Sequence, residues 1–167
     1  MARRLAALSS IRLLVLDVDG VLTDGRLHYG PEGELEKTFH VRDGHGIKAL
    51  LQAGIAVAVI SGRESAAVAR RCAELGITEV LQGAGDKAAA FAGLSARLGI
   101  APRECACIGD DTPDVPLMHS VGLAIAVADA HREAREVAHR TTRLPGGFGA
   151  VREVCDWLLA ARARATH

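Results

Sequence analysis

The sequence has 167 residues, enough for one domain with a sizeable core; 49% are hydrophobic but only 3% aromatic, so Ala, Val, Leu and Ile must build that core. Twenty basic residues balance twenty acidic ones, which removes any global pull towards nucleic acid or an anionic membrane. No apolar run approaches the roughly 18 residues of a membrane-spanning helix, and Arg12 and Asp17 interrupt the opening stretch before a signal peptide develops, so a soluble, cytoplasmic protein is expected.

In chain order, the first ten residues read as a short helix or a frayed arm. Residues 13–16 (Leu-Leu-Val-Leu) are a short continuous apolar run without helical spacing, the mark of a strand buried on both faces in a parallel sheet. The run leads straight into Asp17-Val18-Asp19-Gly20. Side chains at i and i+2 of an extended segment project to one side, roughly 6 to 7 Å apart. Two carboxylates that close are costly unless a cation or a shared proton offsets them, and oxygen ligands suit Mg²⁺. Three readings compete: a polar turn after a strand; a calcium loop, which needs acidic positions at 1, 3 and 5 and a Glu at 12 between two helices, whereas the context here is a strand; and a phosphoryl-transfer centre, in which one carboxylate attacks phosphorus and the other moves a proton.

Residues 26–41 alternate partially about Gly30-Pro31-Glu32-Gly33, a hairpin signature, and such a hairpin is either a flap over the carboxylates or a simple edge hairpin. His28, Tyr29 and His45 read as surface or packing residues. A helix follows from Asp43-Gly44, with Ile47, Leu50 and Leu51 on one face and Gly54 as its stop. The strand at 55–60 ends in Ser61-Gly62-Arg63, the helix at 64–75 ends at Gly76, and a short strand lies at 79–82. Lys87 opens a helix to about Leu98. The strand at 105–108 runs into a second acidic cluster, Gly109-Asp110-Asp111-Thr112-Pro113-Asp114, where Pro113 suits the first turn of the next helix and Asp111 or Thr112 could cap it. A strand at 123–127, a helix at 132–138 and a strand at 140–142 precede the tail, 144–167, whose helix runs through Val151, Val154, Trp157 and Leu158. Cys72, Cys105, Cys107 and Cys155 form no C-x-x-C pair and read as buried thiols.

Strands alternating with helices through short joints predict an α/β fold, a doubly wound Rossmann-like parallel sheet in a single domain over 1–167. Strand ends share one edge of such a sheet, and ligands bind there. Asp17, Ser61, Lys87 and Asp110 all fall just beyond a predicted strand, so the fold would gather them.

Asp17-Val-Asp19-Gly-Val, Ser61, Lys87 and Gly109-Asp110-Asp111-x-x-Asp114 resemble the four motifs of the haloacid dehalogenase superfamily of phosphatases, over residues 13 to about 160. The resemblance implies Asp17 as nucleophile, Asp19 as proton donor and acceptor, Ser61 and Lys87 on the phosphoryl group, Mg²⁺ on Asp17, the Asp19 carbonyl and Asp110, and Asp111 and Asp114 in support. The interval from Asp19 to Ser61 holds only the hairpin and one helix, with no room for a cap domain. Within the superfamily the chain is similar to the capless 3-deoxy-D-manno-octulosonate 8-phosphate phosphatase family, on Val41-Arg42-Asp43-Gly44-x-Gly46-Ile47-Lys48, Ile60-Ser61-Gly62-Arg63, Ala126-Val127-Ala128-Asp129-Ala130-His131 and Gly149-Ala150-Val151-Arg152-Glu153-Val154-Cys155. That similarity implies a phosphorylated keto-acid sugar as substrate, in lipopolysaccharide inner-core biosynthesis, and a homotetramer whose neighbours close one another's sites. It also implies substrate-facing positions at Asp19, His40, Val41, Arg42, Asp43, Gly44, Lys48, Arg63, Arg71 and Lys87. Arg63 and Arg71, eight apart, read as close to one helix face. The alternatives are a phosphatase for a nine-carbon keto-acid sugar phosphate, a mutase or phosphotransferase, and a non-catalytic oligomerising module. Phe148 stands where the family's glycine-rich tail often has a basic residue.

Overall fold

The structure is a computed structural model that describes residues 8–165. Of the predicted opening helix or arm, residues 1–7 lie outside the described residues and Leu8–Ser10 is a single 3-10 turn. In chain order the strands are β1 (Leu13–Leu16), β2 (His28–Gly30), β3 (Gly33–Glu36), β4 (Ala56–Ile60), β5 (Glu79–Leu81), β6 (Cys105–Gly109), β7 (Leu123–Ala126) and β8 (Arg140–Thr141). The helices are α1 (Val41–Gln52), α2 (Ala66–Leu75), α3 (Lys87–Leu98), α4 (Val115–Ser120), α5 (Arg132–Val137) and α6 (Ala150–Ala165).

Six strands form one parallel sheet in the order β5-β4-β1-β6-β7-β8, while β2 and β3 pair antiparallel as a separate hairpin. Every residue of β1, β6 and β7 is buried, as a sheet covered on both faces requires. Each leucine of β1 is fully buried, worth about 1.5–3 kcal/mol against leaving it exposed. The helices fall into two packed groups, α1 with α2 and α6, and α3 and α5 with α4. Between β1 and α1 the hairpin is the only insertion, and no separate cap domain is present among the described residues. No helix of the described residues is long and apolar enough to cross a membrane.

The strand order reverses at β1: the chain moves out through β4 and β5, then returns to the other side of β1 with β6. Register places Leu16 opposite both Val59 and Ile108. The residues that follow, Asp17 and then, one step further on, Asp110 and Ser61, therefore leave the sheet close together at its carboxyl edge.

Two boundaries differ from expectation in ways that matter. The flap ends at Glu36, not at 41, and α1 begins at Val41, two residues before Asp43, because the His40 ring accepts the Arg42 N–H and caps the helix. Ser65 is extended, so α2 starts only at Ala66 and Arg63 lies in the turn before it. Arg63 and Arg71 thus do not share a helix face.

Candidate active site

The loop leaving β1 turns on itself at once: the N–H groups of Val21, Leu22 and Thr23 all point to the Val18 carbonyl. Thr23, 3% exposed, ties this turn together; its hydroxyl accepts from the N–H of Gly20 and of Gly25 and donates to Val18 O. The sequence alone gives Thr23 no role, although a Thr between two glycines in a loop is a standard side-chain-to-backbone device. Gly20 has φ +91°, and a Cβ there would lie 2.0 Å from Asp110 Oδ2. The turn thereby brings backbone directly against the second acidic segment.

Asp17, Asp110 and Asp114 converge there, each with an oxygen within 4.8 Å of the others. Lys87, at the first position of α3, reaches in with Nζ 2.7 Å from Asp17 Oδ1 and 2.6 Å from Asp114 Oδ1. Asp114 Oδ2 accepts the N–H of Asp110 at 2.9 Å and of Asp111 at 3.3 Å. Both Asp114 oxygens are therefore engaged, and the carboxylates left to face a ligand are those of Asp17 and Asp110. Burial, the charge of Asp114 and the opposing pull of Lys87 leave Asp17 raised to about 6. Burial and the charges of Asp17 and Asp114 push Asp110 up to about 8. For Lys87, burial works downward, but the Asp17 and Asp114 carboxylates hold it above the ordinary lysine value. Three carboxylates against one ammonium leave negative charge uncompensated, and a hard divalent cation fits that donor set. Asp111 is the outlying member of its cluster: its side chain accepts the Thr112 N–H and caps the turn ahead of α4, the capping role expected of it.

Asp17, Asp19, Ser61, Arg63, Lys87, Asp110, Asp111 and Asp114 all line one cavity of about 190 Å³. Ser61 is buried and its Oγ accepts the Arg63 N–H at 3.3 Å, which folds the turn after β4 towards the cavity. The flap closes on the same place. Lys37, just past β3, donates to Asp19 Oδ1 at 2.6 Å and lies 3.2 Å from Glu34 Oε1. Arg63 in turn donates to Glu34 Oε2 at 3.0 Å and to the Tyr29 hydroxyl at 2.9 Å. Burial works against the charge of Glu34, yet hydrogen bonds from Arg63 and Lys37 hold it below the usual carboxylate range. Tyr29 is 60% exposed, the surface residue expected, and its hydroxyl in addition orients Arg63. Lys37 and Glu34 were not anticipated at all; their i, i+3 spacing on a predicted flap was the available signal.

The remaining predicted substrate positions are not in this cavity. His40 caps α1, Val41 is 76% exposed, and Lys48 is exposed on the same helix. Gly44 packs against Arg71, where a Cβ would fall 2.3 Å from the guanidinium. Asp43 is 1% exposed and accepts the Arg152 N–H at 2.8 Å, so it caps α6 from a distance; burial raises it against the pull of that bond. Arg42 lines a larger cavity of about 490 Å³ together with Arg143, Phe148 and Arg152, which shares no residue with the acidic one.

The glycine-rich segment ahead of α6 braces the β1 loop. Gly147 N–H donates to Val21 O at 3.0 Å and Gly146 N–H to Asp129 Oδ1 at 3.0 Å. A Cβ at Gly146 would meet the Gly20 carbonyl oxygen at 1.7 Å, so the two backbones touch and only glycine fits. Phe148 beside them is 58% exposed.

A doubly wound sheet whose switch point carries paired carboxylates after β1, a hydroxyl after β4, a lysine opening α3 and carboxylates after β6 defines the haloacid dehalogenase-like hydrolases, and the model of that family matches residues 73–146. The chain is 51% identical to 3-deoxy-D-manno-octulosonate 8-phosphate phosphatase KdsC of Escherichia coli, over 96% of this chain and 85% of that protein. The crystal structure of the Yersinia pestis phosphatase of the same name superposes with a TM-score of 0.91 at 48% identity, covering 95% of this chain and 86% of that one. The Moraxella catarrhalis phosphatase, crystallised with magnesium ion, phosphate ion and KDO, superposes with a TM-score of 0.91 at 45% identity, covering 94% and 90%. This chain belongs to the 3-deoxy-D-manno-octulosonate 8-phosphate phosphatase family of haloacid dehalogenase-like hydrolases.

Proposed function

We propose that this chain hydrolyses 3-deoxy-D-manno-octulosonate 8-phosphate to the free sugar acid and inorganic phosphate, with Mg²⁺ as cofactor, in the assembly of the lipopolysaccharide inner core. The observation that carries this is the convergence of Asp17, Lys87 and Asp110 at the sheet's switch point, with Asp19 and Ser61 on the same cavity. Asp17 attacks phosphorus with a carboxylate oxygen as the bond to the sugar oxygen breaks, and Asp19 gives its proton to that departing oxygen. Asp19 then takes a proton from the water that attacks the aspartyl-phosphate, phosphate leaves, and Asp17 is restored. Lys87 and Ser61, with the Gly62 N–H of the turn after β4, hold the phosphoryl oxygens. Asp17, the Asp19 carbonyl and Asp110 would hold Mg²⁺, which would supply the positive charge that lets a carboxylate approach a phosphate dianion.

The cavity of about 190 Å³ is smaller than the roughly 300–1,000 Å³ of ordinary ligand sites, so it suits the phosphoryl end while the sugar acid extends beyond it. We infer a cytoplasmic homotetramer, each chain one domain over 1–167, in which His40, Val41, Arg42, Lys48 and Arg71 meet the sugar acid held by a neighbouring subunit, with Asp43 and Gly44 buried behind them. Arginine's forked donors suit the substrate carboxylate. The test is phosphate release from a panel of sugar phosphates with Mg²⁺, the nine-carbon keto-acid sugar phosphate included. The eight-carbon substrate is expected to give the highest kcat/KM, and Asp17→Asn to abolish turnover in a folded protein. Full activity of Asp17→Asn removes the nucleophile, and a preference for the nine-carbon substrate removes the substrate.

A further inference from the structure

The two oxygens of Asp19 have different surroundings. Oδ1 accepts a hydrogen bond from Lys37 Nζ at 2.6 Å, whereas Oδ2 has Arg63 Nε at 3.9 Å, beyond hydrogen-bond range. The Lys37 side chain is 2% exposed and does not line the cavity, so its ammonium reaches Asp19 from behind. Burying an ammonium is costly unless carboxylates surround it, and Glu34 completes the pairing at 3.2 Å. The hairpin that delivers Lys37 has no strand partner in the main sheet. What the lysine does there concerns Asp19.

We propose that Lys37 is a positioning residue for proton transfer: by engaging Oδ1 it fixes the plane of the Asp19 carboxyl and leaves Oδ2 as the oxygen presented to the leaving group and then to water. Proton transfer needs donor and acceptor within about 2.6–3.2 Å. A carboxyl free to turn about its last torsion holds that geometry only part of the time, and a misplacement of about 1 Å can cost on the order of 100-fold. The inference rests on the reading of Asp19 as the proton-transferring group, so the test must separate the two.

The Mg²⁺-loaded protein and its Lys37→Met, Asp19→Asn and doubly substituted variants are assayed on the eight-carbon sugar phosphate and on p-nitrophenyl phosphate, whose leaving group departs without a proton. Lys37→Met is expected to lower kcat on the sugar phosphate about 10- to 100-fold with KM changed by less than about threefold. On the aryl phosphate it should give a stoichiometric burst of nitrophenolate, since the aspartyl-phosphate forms but its hydrolysis is slow. Added to Asp19→Asn, it should change the rate less than about threefold, because two residues acting through one carboxyl are not additive. An equal loss in both backgrounds, an effect on KM alone, or no burst overturns the proposal. Impaired Asp19→Asn beside unimpaired Lys37→Met overturns it while the Asp19 reading stands; Asp19→Asn at the wild-type rate overturns both. If Lys37→Met does not fold, Lys37→Ser, which removes the ammonium and is too short to reach Asp19 Oδ1, carries the same comparison.

Discussion

Substituting Gly20 by Ala separates the stability of the β1 loop from its chemistry. The residue has φ +91°, and the added Cβ would lie 2.0 Å from Asp110 Oδ2 and 2.5 Å from Asp110 Cγ. The positive φ costs about 1–2 kcal/mol for an L residue, partly offset by about 0.4–1 kcal/mol from the stiffer unfolded chain. Net destabilisation of about 1 kcal/mol corresponds to roughly 2–4 °C in Tm for a chain of this size. The clash is with the far end of a side chain, so Asp110 swings away by about 1 Å or more instead of the backbone breaking. Activity should therefore fall far more than stability, by about 10- to 100-fold in kcat/KM, with the Mg²⁺ concentration for half-activation raised. Thermal unfolding with and without Mg²⁺, beside phosphate release titrated with Mg²⁺, measures both. A Gly20→Ala protein with wild-type Mg²⁺ dependence would refute the argument that Gly20 exists to admit Asp110.

Three further outcomes follow from the charges. Asp110 raised to about 8 and Asp17 raised to about 6 mean that, without metal, the folded state keeps protons that the unfolded chain releases near pH 4. Their stabilisation is full below pH 4 and is lost as pH rises through 6 to 8, so metal-free Tm should fall over that window and the Mg²⁺-induced rise in Tm should grow; an equal Mg²⁺ effect at pH 5.5 and 8.5 would contradict this. Lys87→Met strips the buried Asp17 and Asp114 of their ammonium and should cost about 3–5 kcal/mol of stability in denaturant unfolding; an unchanged midpoint would show that the pair contributes little. Arg71→Ala should raise KM for the keto-acid sugar phosphate well above any change for p-nitrophenyl phosphate, and equal effects on both would argue against carboxylate recognition.

The sheet was legible because its strands are apolar runs with short helical connections, and because strand ends in such a fold must share an edge. Asp17, Ser61, Lys87 and Asp110 were placed by that rule alone, and they do meet. What the sequence did not display was contact between distant segments. Lys37 on Asp19, Glu34 on Arg63 and Thr23 across its own turn depend on how a hairpin and a loop lie, which no periodicity encodes. Asp43 was read as a substrate contact because it sits in a family-like run, yet it is buried as the cap of a helix more than a hundred residues later. Arg63 and Arg71 were separated by a single extended residue, Ser65, whose backbone breaks the helix that spacing had assumed.

The contact of Gly146 and Gly147 with the loop after β1 sets the order in which the molecule becomes competent. During synthesis the first strand and its carboxylates emerge early, but the segment that shores up their turn leaves the ribosome only after β8 has been made. A nascent chain carrying every reactive group would still hold them loosely, so phosphatase capability is expected to arrive in one step, when the Gly146-Gly147 segment docks, and not to build up gradually with length.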